Sequence, residues 1–161
     1  MRKVAVVAVV VVLSLTVGTF IAKDVLQAQG QFGTPAEAKA MLQKAVAAVK
    51  ANKEQAIEMF NKGESGFKDR DLYPFCFNIE DGKILATQAS SLIGKDLRTL
   101  KDSKGKAFGE EMYKKAKAVK EGATTEVSYM FPRPGSDTTP VQKVSYVTKV
   151  GNVGVGVGYY K

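Results

Sequence analysis

The sequence predicts an α+β domain in which an antiparallel sheet of five strands carries helices on its faces. Residues 35–62 place apolar side chains three or four positions apart, which is the period of an amphipathic helix. Two apolar runs then flank the turn sequence at 80–83, where Asp-Gly suits the positive φ angles of a tight hairpin. The last third of the chain holds three more strand-like runs. Strands that follow each other through short polar loops indicate antiparallel pairing.

Two helices are predicted. The first begins at 34–37, where Thr-Pro-Ala-Glu combines an N-cap, a proline for the first turn and the glutamate of a capping box. Its apolar stripe has one gap, around Asn52, and we predict a single long helix that ends near Lys62, with Gly63 as its stop. The second helix is predicted over 107–120, and its inner face carries Phe108, Met112, Ala116 and Val119.

Five segments have the composition and alternation of strands. They are residues 72–79, 84–87, 125–131, 141–150 and 153–160. In the last segment three valines alternate with Gly154, Gly156 and Gly158. This pattern predicts a central strand whose valines face the core, while its glycines let another group approach the backbone closely.

Residues 1–30 have the order of a leader rather than of a folded segment. Arg2 and Lys3 precede an uncharged run from Val4 to Ala22, and small residues follow up to Gly30. The order is typical of a secretory signal peptide, while the run approaches the ~20 residues that span a bilayer. A cleaved signal peptide and an uncleaved N-terminal membrane anchor both stay open. In either case we expect residues 31–161 to form one periplasmic or otherwise extracytoplasmic domain, which meets the membrane only through the N-terminal segment.

The composition argues against common enzyme classes. The chain has no histidine and one cysteine, Cys76. Ser-His and Cys-His nucleophile pairs, imidazole metal ligands and the usual general base near neutral pH are therefore lacking. A zinc site would need Cys or His ligands, so we expect no catalysis, no metal and no cofactor. The net charge of +8 comes from lysines spread along the chain, a pattern typical of a solvated surface rather than of nucleic-acid binding.

Aromatic residues and one lysine are the candidates for a binding site. Most of the strand aromatics are expected to be ordinary core residues, but tyrosines that are half-buried on a sheet also make good pocket walls, because they offer a flat face and a hydroxyl group. Lys143 lies in the middle of a predicted strand. If that face of the sheet is covered, the ammonium needs an anionic partner, because a buried unpaired charge is costly. A solvated surface lysine is the alternative.

Four segments, taken in order, resemble single Cache domains of type 2. They are Tyr73 to Phe77 with Asp81-Gly82-Lys83 and Leu85-Ala86, then Leu92 to Leu97 with Leu100-Lys101-Asp102 and Gly105-Lys106, then Lys143-x-Ser145-Tyr146-Val147, and last Gly154-x-Gly156-x-Gly158-Tyr159-Tyr160. The resemblance covers about 35–161. It implies a PAS-like five-stranded sheet behind a long N-terminal helix, with an extracytoplasmic pocket for a small molecule that is often a short organic acid.

In that family a second membrane helix and a signalling module usually follow the domain. The sequence ends at Lys161, so we expect a free or anchored binding protein that has no output module of its own and reports to a membrane-bound signalling partner.

By position, the resemblance assigns the pocket to six residues: Tyr73, Phe75, Tyr129, Phe131, Lys143 and Ser145. A lysine ammonium together with tyrosine and serine hydroxyls is a chemically sensible cradle for a carboxylate, and aromatic walls would enclose its apolar part. We therefore predict a sensing domain for a small molecule, with a carboxylate as the expected ligand. The alternative is an interaction or structural protein of the cell envelope with a vestigial pocket.

Overall fold

The computed structural model describes residues 30–161. The predicted signal peptide or anchor, residues 1–30, lies outside the described residues except for Gly30, and it stays a prediction. From residue 30 onward, no helix has both the length and the apolar character needed to cross a membrane.

The predicted five-stranded antiparallel sheet is confirmed. Its strands are β1 (Pro74–Asn78), β2 (Ile84–Ala86), β3 (Thr125–Pro132), β4 (Pro140–Val150) and β5 (Val153–Tyr160). They lie in the order β2-β1-β5-β4-β3, and every neighbouring pair is antiparallel. The strand with alternating glycines, β5, is at the centre of the sheet, as its sequence predicts. All eight residues of β5 are buried, so both of its faces are covered.

The helices are α1 (Pro35–Ala51), α2 (Lys53–Lys62) and α3 (Phe108–Ala118), with two short 3-10 turns at Ser90–Leu92 and Leu97–Thr99. The capping box forms as predicted, because Glu37 accepts from the Thr34 amide at 2.7 Å and Thr34 accepts from the Glu37 amide at 3.3 Å. Gly63 ends α2 in the left-handed conformation at φ 69°.

The prediction of one unbroken helix over 35–62 is wrong at a single residue. Asn52 has an extended backbone, with φ −159° and ψ 107°, and separates α1 from α2. Its side-chain oxygen accepts from the Gln55 amide at 3.0 Å and so caps α2. Asparagine competes for backbone hydrogen bonds in this way, which is why it favours helix ends over helix interiors.

The sheet separates two cores. On one face, α1 and α2 pack against buried side chains of the sheet that include Cys76, Val144 and Val155. Cys76 is fully buried, as expected for a thiol acting as a small apolar side chain, and burial raises its pKa. On the other face, α3 and the segment 92–100 pack against Phe77 and Val127, among others. The candidate pocket lies within this second layer.

Candidate ligand pocket

The backbone of β5 forms the floor of a cavity on the α3 side. A side chain at Gly154 would overlap the ring of Phe77, and one at Gly156 would overlap the ring of Phe75. Both rings therefore lie directly on the strand backbone, an approach that only glycine permits. The alternation of glycine and valine thus creates one face that packs helices and one face that accepts aromatic rings.

The third glycine makes room for the lysine. A Cβ atom at Gly158 would overlap Lys143 Cε and would lie 2.6 Å from Ser145 Oγ. Ser145 pairs with Gly158 in the ladder, and Lys143 pairs with Tyr160. The side chain of Lys143 therefore crosses the central strand rather than pointing to solvent, and it reaches the cavity.

The cavity has a volume of about 40 Å³, which is room for roughly three water molecules. It lies between the sheet and the layer formed by α3 and the preceding loop. Apolar and aromatic side chains make up most of its wall: Tyr73, Phe75, Cys76, Phe77, Ile84, Thr87, Leu92, Leu97, Leu100, Phe108, Met112, Tyr129, Phe131 and Lys143. Small apolar groups suit such a wall.

Lys143 is 1% exposed, and no carboxylate of the described chain forms a salt bridge with it. Its Nζ atom donates to the hydroxyl of Tyr73 at 2.9 Å and to that of Tyr160 at 3.2 Å. The same atom lies 4.3 Å from the ring centroid of Tyr73 and 5.3 Å from that of Phe131. Aromatic faces and neutral hydroxyls stabilise an ammonium only partly, so a counter-ion is still lacking.

Burial controls the protonation of this group. It lowers the pKa of Lys143 from its ordinary value of 10.5, and the nearby Tyr129 and Asp71 oppose the shift. Burial also raises the pKa of Tyr73 to about 12, and it raises the pKa of Tyr160 and Tyr129. The tyrosines therefore remain neutral hydroxyls near neutral pH and keep a proton to donate.

The structure brings the six predicted site residues together. Five of them line the cavity: Tyr73, Phe75, Tyr129, Phe131 and Lys143. Ser145 does not line it, but it is completely buried, and its hydroxyl shares a 2.9 Å hydrogen bond with that of Tyr129. Ser145 therefore orients a wall of the pocket. Ligand contact by these residues stays a prediction.

The sequence reasoning missed Tyr160 as a site residue. Its hydroxyl accepts from Lys143 and donates to the carbonyl of Pro132 at 2.7 Å. The signal was available, because Tyr160 follows the three glycines at the same two-residue spacing and so must share their face.

A positively charged side chain lies beside the pocket, next to the start of the described chain. The Arg133 guanidinium lies 4.1 Å from the ring centroid of Phe32 and 5.0 Å from that of Tyr160. Its Nε atom is 3.7 Å from Asp71 Oδ2, and the amide of Gly33 donates to Asp71 Oδ1 at 2.7 Å. These contacts attach residues 32–33, just before α1, to the end of the pocket.

The cover of the cavity depends on one glycine. The Phe108 ring of α3 stacks on that of Tyr129, with centroids 4.1 Å apart. At the next residue, Gly109, a Cβ atom would overlap the carbonyl oxygen of Leu97 and lie 2.9 Å from its carbon. Backbone atoms cannot rotate aside as a side chain can, so α3 reaches this position only with glycine.

Gly109→Ala should therefore destabilise the domain by about 1–3 kcal/mol, as overpacking does. Helix propensity alone predicts the opposite, a gain of up to about 1 kcal/mol. Urea unfolding of the two proteins measures the sign. Glu110→Ala, at the next and partly exposed position of α3, is the control and should change stability by less than about 1 kcal/mol. A Gly109→Ala protein at least as stable as the parent would rule out the close contact.

Comparison with known proteins gives a consistent set of similarities. A family model described as Cache domain matches residues 21–161. No curated protein matches the chain. A solved periplasmic sensor domain of a chemotaxis protein is 24% identical, with a TM-score of 0.58, and the alignment covers 78% of this chain and 88% of that one.

Two further solved structures share the fold. A methyl-accepting chemotaxis protein from Vibrio parahaemolyticus is 22% identical, with a TM-score of 0.62 and coverage of 78% of this chain and 86% of that one. A Cache chemosensory domain, whose structure is described as the basis of its carboxylic acid recognition, is also 22% identical. Its TM-score is 0.61, and the alignment covers 78% of this chain and 91% of that one. At these identities the similarity establishes the PAS-like arrangement of sheet and helices.

Proposed function

This chain belongs to the Cache domain family, as its resemblance predicted, and we propose that its extracytoplasmic sensing domain takes a small carboxylate as ligand. The observation that carries the proposal is Lys143, which is buried beside a cavity and forms no salt bridge with any acid among residues 30–161. A charge in this position is costly until an anion joins it. A carboxylate in the cavity would supply that anion, and the similar Cache domain described with carboxylic acid recognition supports this chemistry.

The cavity favours a very small acid. Its 40 Å³ suits a molecule of a few non-hydrogen atoms, such as a monocarboxylate of two or three carbons. Among the described residues that line it, Lys143 is the only cation and no carboxylate is present. A dicarboxylate would leave its second charge unpaired, and an amino acid would leave its ammonium unpaired, and both arrangements are costly in an apolar site.

Each polar side chain has a role in this proposal. The Lys143 ammonium pairs with one or both ligand oxygens, and the hydroxyls of Tyr73 and Tyr160 can turn from the lysine to donate to the same oxygens. Tyr129 is held in place by Ser145, and Phe131 and Phe75 enclose the alkyl part. Charged recognition at one end and apolar walls at the other define a monocarboxylate site.

A thermal-shift and calorimetric screen tests the proposal. Acids of one to six carbons should be compared with a dicarboxylate and with amino acids, and the two- or three-carbon monocarboxylates should give the largest effect. At about 100 times its dissociation constant, such a ligand should stabilise the fold by roughly 2.7 kcal/mol. If no carboxylate raises the melting temperature, the proposed ligand class is wrong.

The alternative of an envelope interaction protein with a vestigial pocket draws on one observation: Lys143 already holds two tyrosine hydroxyls in a small cavity. A stable co-purifying partner together with a silent ligand screen would favour it. Neither candidate function is catalytic, which is consistent with the sensory role of Cache domains. We further propose a membrane-bound signalling partner, because the similar solved domains belong to chemotaxis proteins.

A further inference from the structure

Among the residues that the structure describes, those around the Lys143 ammonium offer hydroxyl groups but no carboxylate at contact distance. Tyr73 contacts its Nζ atom from the residues before β1, and Tyr160 contacts it from β5. Tyr129 of β3 acts on it electrostatically, whereas Cys76 of β1, which borders the same cavity, packs its side chain in the core on the opposite face of the sheet. Burial raises the pKa of all four groups, so each keeps its proton near neutral pH.

The remaining neighbours cannot neutralise an ammonium either. Ser145, on the same strand, is held by Tyr129. The cover over the cavity consists of apolar side chains of α3 and the preceding turn, among them Phe108 and Leu97. Asp71 is the acid with a resolved influence on Lys143, but its carboxylate accepts from the Gly33 amide and faces the cationic Arg133. The empty pocket therefore shifts the protonation equilibrium of Lys143 toward the neutral amine.

We infer that the pocket binds its carboxylate together with one proton, which Lys143 takes from solvent, so that the domain reports the acid and the acidity of its surroundings jointly. This inference rests on the proposed function and adds that ligand binding is regulated by pH. The step is balanced: a carboxylate anion, a proton and a neutral lysine amine become an ion pair of carboxylate and ammonium. No net charge enters the apolar cavity, which is what makes the uptake favourable.

The sign of the pH dependence follows from linkage. Below the lowered pKa of Lys143 in the empty pocket, the amine is already charged, and binding takes up no proton. Above it, the amine must acquire a proton to pair with the carboxylate, so affinity falls by up to tenfold for each pH unit. The loss continues until the pKa of Lys143 in the occupied pocket is reached. Tyr73, with a pKa of about 12, remains protonated near neutral pH and contributes no pH dependence there.

Calorimetric titration counts the protons directly. The domain is titrated with sodium acetate and sodium propionate at pH 9 in two buffers of different ionisation enthalpy, and the difference in heat gives the number of protons taken up. A lysine with the ordinary pKa near 10.4 would take up only about 0.04 proton at pH 9. We expect a clearly larger uptake, and an acid that binds with no more proton uptake than an ordinary lysine would give would overturn the inference while leaving the proposed function intact.

Two variants test whether Lys143 is the group that takes up the proton. Lys143→Met should remove the uptake along with most of the affinity, whereas Lys149→Met, on the same strand but outside the cavity lining, should leave the proton count unchanged. An uptake that persists in a Lys143→Met protein that still binds would assign the proton to another group and overturn the inference. If neither acid binds to the unmodified domain, the inference falls together with the proposed monocarboxylate ligand.

Discussion

Replacing Lys143 by methionine should weaken binding of a small carboxylate by about thirtyfold to several thousandfold. Methionine keeps much of the bulk of the lysine stem and removes its charge. Truncating one partner of a buried, hydrogen-bonded charge pair costs about 2–5 kcal/mol, which corresponds to that range of affinity. Titration of both proteins with whichever acid the screen identifies measures the change.

The control for this variant lies on the same strand. Lys149 donates from Nζ to the carbonyl of Lys117 at 3.0 Å, an exposed contact away from the cavity. Because exposed charges contribute only about 0–1 kcal/mol, Lys149→Met should change affinity by less than about fivefold. Equal, small effects of both substitutions would remove Lys143 from the site without altering the fold assignment.

The free Lys143→Met domain should not lose stability, and its stability relative to the parent should depend on pH. In the unfolded chain Lys143 has its ordinary pKa of 10.5, and burial lowers that value in the folded state. Below the lowered pKa the parent carries the full cost of a buried ammonium. That cost declines as pH rises through the lowered pKa toward 10.5. The stability of Lys143→Met relative to the parent should therefore be largest at pH values below the lowered pKa of Lys143. Denaturant unfolding of both proteins at several pH values would measure this difference.

The sequence predicted the sheet well because each strand carried its own evidence. The alternation in β5 predicted both its central position and a valine face in the core opposite a glycine face open to close approach, since side chains at every second residue point the same way. The sequence pattern of residues 35–62 did not predict the break at Asn52. The helix-forming residues on both sides favour one continuous helix. The helix is interrupted because the Asn52 side chain caps a new helix, accepting a hydrogen bond from the Gln55 amide.

The site was predictable where it lies on strands and not elsewhere. Lys143 stood out as a charged residue within an apolar alternating strand, and the aromatics of β1 and β3 shared its face. The side chains that cover the cavity on the α3 side could not be predicted in the same way. Phe108 was assigned to the inner face of a helix, but nothing local shows that this helix lies over the tyrosines or that Gly109 lets it approach Leu97. Those contacts join residues distant in sequence and depend on tertiary packing.

Phe77→Ala should lower the free energy of unfolding by about 3–5 kcal/mol, the usual cost of removing a buried phenyl ring. The ring is fully buried, lies on the backbone at Gly154 and forms part of the cavity wall. Phe60 is the matched control. It is equally buried, but it packs edge-on against Phe67 in the layer on the opposite face of the sheet. Phe60→Ala should cost a similar free energy, which urea unfolding of both variants would show.

Ligand preference separates the two phenylalanines. The space left by Phe77 opens onto the 40 Å³ cavity, whereas the space left by Phe60 does not. Each extra methylene that enters apolar space is worth about 0.8 kcal/mol, or roughly fourfold in affinity. Relative to acetate, five- and six-carbon acids should therefore bind Phe77→Ala better than they bind the parent or Phe60→Ala. If Phe77→Ala stays folded and keeps the parent's order of preference, the alkyl part of the ligand does not lie against Phe77, and the cavity is not the site.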